Sequence, residues 1–197
     1  QKALPLLRVW PETVSIDVPQ QFAGSLFDLL PGTEYEIELV AQDPDGGNER
    51  HRLSATTRPI PITEPATARL VPVSTKADLI AALSAAQAGD VITLADGLYT
   101  GPFEMRRSGT VSNPIVIRGH GVGTILDGGD CGSCDVLDVV GSWVHIEDLT
   151  LQSAVRGLRF SAVGAVGNVA RRLRIRDVVH GIGKNMEQAD FYLCDND

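Results

Sequence analysis

Eight basic side chains fall within 29 residues of this chain: Arg156, Arg159, Arg171, Arg172, Arg174, Arg176, His180 and Lys184. Arg172, Arg174 and Arg176 alternate with Leu173 and Ile175. In a strand this period of two sets three guanidinium groups in a row on one face. Such a row can grip carboxylates or sulfates through paired hydrogen bonds. The same residue types could support elimination. A cation must neutralise a carboxylate so that the neighbouring C–H becomes acidic, and a base must take that proton. Arg174, Arg176 and Arg159 are therefore candidate ligand-binding residues. His180, Arg156 and Lys184 are the candidate catalytic groups.

A structural role competes for part of this set. At an offset of 24 residues, Glu147 lies over Arg171 and Asp148 over Arg172, which would make a ladder of ion pairs. Arg174 and Arg176 face Thr150 and Gln152 at that offset and have no acidic partner there. Arg156 lies over His180. Upstream, Asp127, Asp130 and Asp135 cluster with glycines, and Asp138 follows. Calcium favours carboxylate-rich loops of this kind, so the first three are candidate metal ligands. Their spacing has no EF-hand frame, and a solvated turn is the competing reading. Cys131 and Cys134 sit in the same stretch, as a loop-closing disulfide or two free thiols. A zinc site would need two further ligands that the sequence does not place. Cys194 stands alone.

The elements that must carry these groups are short strands. Val91–Leu94, Leu98–Tyr99, Ile115–Ile117, Thr124–Leu126, Val136–Val140, Trp143–Ile146 and Leu149–Leu151 read as strands with no helix between them. One helix is predicted over Ala77–Ala88. Ser74 or Thr75 caps it, Asp78 lies in its first turn, Leu79, Ala82, Leu83 and Ala86 share a face, and Gly89 ends it. The offset of 24 also superposes Leu149 on Leu173, Leu151 on Ile175, Val155 on Val179, Gly157 on Gly181 and Leu158 on Ile182. Such a period, in short strands without a second helix, predicts a parallel β-helix in which like residues stack coil on coil. The helix then caps its open end.

Residues 67–197 are accordingly predicted to be the first coils of that solenoid. Ahead of them, Arg58-Pro-Ile-Pro-Ile-Thr-Glu-Pro65 predicts a stiff linker over 59–66. Residues 1–58 form a different unit. Glu34–Val40 alternates as a half-buried strand, Asp43–Gly47 is a turn, and Leu53–Thr57 is a further strand. The run Leu29-Leu-Pro-Gly-Thr-Glu-Tyr35 resembles the tyrosine corner of fibronectin type III domains, a likeness covering about residues 20–58. A whole domain of that fold needs about 100 residues, so a partial β-sandwich is expected, with no chemistry assigned to it.

The 197 residues carry a net charge of −8, with 5 basic and 10 acidic side chains in 1–66 and 12 and 15 in 67–197. This balance disfavours nonspecific nucleic-acid binding, which needs a basic surface. No apolar run reaches the roughly 20 residues of a membrane span. The chain lacks an initiator Met and stops in mid-pattern. It is read as a piece of a longer polypeptide, the rest of which would be its partner.

Three motifs carry a family resemblance. They are Val73-Ser-Thr-x-x-Asp78-Leu79-x-x-Ala82-Leu83, Ala88-Gly-Asp-Val-Ile-x-Leu94-x-x-Gly97-x-Tyr99, and Ser108-Gly-Thr-x-x-Asn113-Pro-Ile-x-Ile117-Arg118. Together they resemble the N-terminus of pectate-lyase-like right-handed parallel β-helix proteins, nearest to the chondroitinase B and alginate lyase group. The resemblance implies an all-β fold and a secreted or cell-surface protein. It implies cleavage of an acidic polysaccharide by β-elimination, with calcium as a possible cofactor. In that group the catalytic bases and calcium ligands come from later coils, so this chain alone is expected to be inactive. The alternatives are a non-catalytic glycan-binding or adhesin β-helix, and an epimerase or glycoside hydrolase on the same scaffold. A hydrolase would need two carboxylates about 5–9.5 Å apart.

Overall fold

The computed structural model describes residues 5–8, 22–185 and 190–197. The chain divides into two units, Gln1–Ile60 and Pro61–Asp197. In the first, β1 (Leu7–Arg8) pairs antiparallel with β2 (Phe22–Ala23), and β3 (Glu34–Gln42) pairs antiparallel with β4 (Asn48–Thr56). The alternation of Tyr35, Ile37 and Leu39 gives β3 one half-buried face. The Tyr35 hydroxyl accepts a hydrogen bond from the Leu30 N–H at 2.8 Å, five residues upstream. Val40 and Leu53 remain 47% and 44% exposed. No second sheet covers this hairpin among the described residues.

The second unit opens on β5 (Arg69–Val73) and α1 (Lys76–Ala85), followed by β6 (Asp90–Leu94), β7 (Gly97–Thr100), β8 (Phe103–Met105) and β9 (Ile115–Arg118). Then come β10 (Thr124–Val139), β11 (Val144–Glu147), β12 (Thr150–Phe160), β13 (Val169–Arg171), β14 (Arg174–Lys184) and β15 (Tyr192–Cys194). They wind into a parallel β-solenoid of about five turns. One sheet runs β5-β6-β9-β11-β13-β15, and the other β7-β10-β12-β14 with β8 also on β10. Like residues stack through the core: Val71, Ile92, Ile117, Ile146, Ala170 and Leu193 form one column. The predicted offset of 24 holds along all of β12 and β14, including Leu151 on Ile175 and Leu158 on Ile182.

Two local expectations need correction. The helix ends at Ala85, not Ala88, because Ala86 already leaves the helical conformation. Thr75 caps it, accepting from the Asp78 N–H at 3.1 Å while donating to the Asp78 carboxylate at 2.7 Å. Gly89 serves the turn into β6 instead. Its φ is +93°, and a Cβ there would lie 2.4 Å from the Thr67 carbonyl oxygen. The second correction concerns residues 127–135, expected as a loop. They belong to the bent strand β10. Asp127 pairs with Gln152, 25 residues on, whereas Asp135 pairs with Arg156, 21 on. The corner therefore holds four extra residues, and the Cys131–Cys134 disulfide closes that bulge.

In the sheet that runs from β5 to β15, the inner strands β6, β9, β11 and β13 are buried on both faces. Residues 61–67, the end of the predicted linker, cross the outer side of this sheet as a strap. Arg171 donates to the carbonyls of Pro61 and Ile62, each at 3.3 Å, and Arg118 to the carbonyl of Thr63 at 2.8 Å and to Glu64 at 2.7 Å. The Ala66 N–H reaches the Ser112 carbonyl, and the Thr67 N–H reaches Asn113 Oδ1. Outward-pointing Val116, His145, Glu147 and Val169 are all buried.

Asparagines close the turns between coils. Buried Asn168 accepts from the Val144 N–H at 2.9 Å and donates to the Gly141 carbonyl at 3.0 Å. Asn168→Ala is expected to orphan both backbone groups and cost about 1–2 kcal/mol, read as a lower urea midpoint with an unchanged slope.

Candidate functional site

The strands β10, β12 and β14 carry every candidate residue, all at outward positions except Lys184, which stacks on buried Phe160 at the end of the core column Met105–Val139–Phe160. Asp127, Asp130 and Asp135 come from β10, Arg156 and Arg159 from β12, and Arg174, Arg176, His180 and Lys184 from β14. Stacking converts their sequence positions into columns: Asp127–Gln152–Arg176, Asp135–Arg156–His180, and Glu104–Asp138–Arg159–Gly183. Along the stacking direction the surface passes from acidic, through mixed, to basic.

The columns differ in how charge is spent. Asp135, with only a tenth of its side chain exposed, pairs with Arg156 and lies 3.6 Å from Arg159. Arg159 also donates to Asn185 at 3.4 Å. The two guanidiniums thus share one carboxylate. Arg171 and Arg172 are neutralised by buried Glu147 and by Asp148, as the 24-residue offset predicts. Arg176 is held differently. Its Nε and Nη2 donate to Gln152 Oε1 at 2.9 and 2.7 Å, and Gln152 Nε2 donates to Asp127 Oδ2 at 2.5 Å. The side chains of Arg174, His180 and Lys184 are exposed and make no hydrogen bond or ion pair among the described residues.

The three aspartates proposed as metal ligands are not drawn together. Asp127 accepts from the Gly129 N–H and from Gln152, Asp135 is spent on arginines, and Asp130 points to solvent with a φ of 57°. No group of three His, Cys, Asp or Glu side chains converges for a metal among the described residues.

Two features escaped the sequence. Gln152 figured only as a non-acidic neighbour, whereas it bridges Arg176 and Asp127. The other is the environment of Asp138, which the sequence placed only beside the aspartate cluster. Burial raises its pKa; Asp135 and Glu104 push the same way, against a hydrogen bond with Ser161 and the charge of Arg159. Its Oδ1 has no hydrogen-bond partner among the described residues. The 21-residue offset that stacks Asp138 on Arg159 differs from the repeat of 24, so counting by the repeat could not find it.

No helix among the described residues is long and apolar enough to cross a membrane. No protein-family model matches the chain, and no curated protein matches it. Among solved structures, the alginate lyase from Paenibacillus sp. str. FPU-7 is similar, with a TM-score of 0.60 and 29% identity over 65% of this chain and 44% of that one. The PL6 family alginate lyase AlyGC is a looser likeness, at a TM-score of 0.44 and 20% identity over 54% of this chain and 15% of that one. The chain therefore spans less than half the length of the Paenibacillus enzyme. Its second unit is a parallel β-helix similar in fold to that enzyme.

Proposed function

We propose that this β-helix belongs to a protein that binds an acidic polysaccharide and cleaves it by β-elimination outside the cell. The likeness to an alginate lyase, at 29% identity and a TM-score of 0.60, carries this reading. The cationic edge of β14, where Arg174, Arg176 and His180 face outward, supports the substrate class. In such a reaction a cation stabilises the charge that grows on the uronate carboxylate. A base removes the adjacent proton, the glycosidic C–O bond breaks, and a double bond forms in the sugar.

One observation favours a second reading, binding without cleavage by these coils. A general base is usually oriented by a neighbouring group, yet the side chains of His180 and Lys184 have no hydrogen-bond partner among the described residues. The full-length protein should be incubated with alginate, pectate and chondroitin sulfate, with and without calcium, while the absorbance of unsaturated uronate is followed. Absorbance growing with one of them is the expected result. Retention of a polymer without product would favour the binding reading. Neither retention nor product on any of them would sink both.

A further inference from the structure

Among the arginines of the solenoid, Arg118, Arg156, Arg159, Arg171 and Arg172 all pair with carboxylates. Such a pair leaves little net charge for a ligand. Arg176 is anchored by an amide. Gln152 takes two of its donors on one oxygen, and uses its own NH2 group to satisfy Asp127. The nearest carboxylate in the column therefore sits two coils away, beyond the amide, and makes no direct pair with Arg176. Arg176 is thus fixed by two hydrogen bonds while keeping its charge, and its Nη1 makes no hydrogen bond among the described residues. Arg174 lacks this support. It lines a shallow groove together with Asp195 and Asp197, and nothing orients it.

We infer that Arg176 receives an anionic group of the ligand, with Gln152 and Asp127 as its positioning residues. This rests on the acidic-glycan reading and specifies where on the solenoid a carboxylate lands. Glutamine suits the middle position because it offers an acceptor upward and a donor downward with no charge of its own. Glutamate there would anchor Arg176 as well, but would neutralise it.

That difference supplies the test. The double variant Asp127→Asn, Gln152→Glu keeps every hydrogen bond of the column. The new amide at position 127 would donate to the new carboxylate at position 152, which would accept from Arg176. The amide oxygen at position 127 would still accept from the Gly129 N–H. Net charge is unchanged, and the negative charge simply moves one coil closer to Arg176. Binding of an alginate-derived uronate hexasaccharide is measured by calorimetry on the full-length protein. Both the double variant and Arg176→Gln should weaken it by about tenfold, with thermal midpoints equal to the wild type. If the double variant does not fold by near-UV circular dichroism, Arg176→Gln decides alone. Wild-type affinity in Arg176→Gln overturns the inference and leaves the glycan reading intact. A wild-type protein that does not bind the hexasaccharide also overturns it, and the glycan reading then stands or falls on release of unsaturated uronate.

Discussion

Replacing Glu147 by Ala is expected to lower folding stability by about 3–5 kcal/mol. Glu147 is fully buried and receives Arg118 on one oxygen and Arg171 on the other, with Arg172 3.2 Å away. Arg171 is 2% exposed. Without the carboxylate its charge would stay in a region that water hardly enters, and that cost exceeds what the pair contributed. The same loss reaches the strap, since Arg118 and Arg171 also hold the carbonyls of residues 61–63. Urea unfolding should therefore show a much lower midpoint. Proteolysis between residues 61 and 67 should also quicken. Replacing Glu147 and Arg171 together by leucine should restore part of the loss, because no charge is then stranded. A single-variant cost below about 1 kcal/mol, the range of exposed pairs, would mean that water reaches the ladder and that no charge is stranded there.

Acidification should act on the same face through His145. The ring is 3% exposed, stacked between Val116 and Val169, and its Nδ1 has no hydrogen-bond partner among the described residues. Burial lowers its pKa from 6.5 to about 4; the charge of Arg171 pushes the same way and that of Glu147 opposes it. Between those two values the unfolded chain takes up a proton that the folded chain refuses. Unfolding is thus favoured as pH falls, by about 1.4 kcal/mol per unit and roughly 3 kcal/mol in all. Above pH 6.5 the contribution is complete and flat. The acidic groups held low by arginine partners, Asp90 by Arg69 and Asp148 by Arg172, begin to lose their contribution only nearer the ordinary Asp value, so the upper part of the window belongs to histidine. His145→Val continues the valine column and removes the titrating ring. Its stability should be nearly level from about pH 6.5 to about 5, whereas the wild type falls. Equal slopes in the two proteins would show that His145 protonates without penalty.

How these groups compare with their expectation from sequence follows from the range of the interactions involved. The alternation around Leu173 and Ile175, a helix cap at Ser74 or Thr75 and the stacking of Leu151 on Ile175 depend on neighbours a few residues apart or on one fixed repeat. All were readable. The stretch 127–135 was not, because glycine and aspartate favour turns locally, while pairing with β12 on one side keeps the chain extended around a corner. The linker prolines predict an extended chain equally well whether it is free or docked. Only the carbonyl acceptors it offers to Arg118 and Arg171 show that it is docked.

The chain's own pattern thus determined the solenoid, the offset between its later coils, the ion pairs of Arg171 and Arg172, and the pair Arg174 and Arg176 on β14, whereas Arg172, expected in the same row, lies before the strand with a positive φ. Periodic burial repeats in sequence because it repeats in space. Which unpaired arginine is also held in place was decided by the tertiary structure alone. The 24-residue offset already sets Thr150 beneath Arg174 and Gln152 beneath Arg176, but only the structure shows Gln152 anchoring Arg176 and reaching on to Asp127. Hydrogen-bond direction and the distance to the next carboxylate are properties of three coils at once, and no segment of sequence holds them.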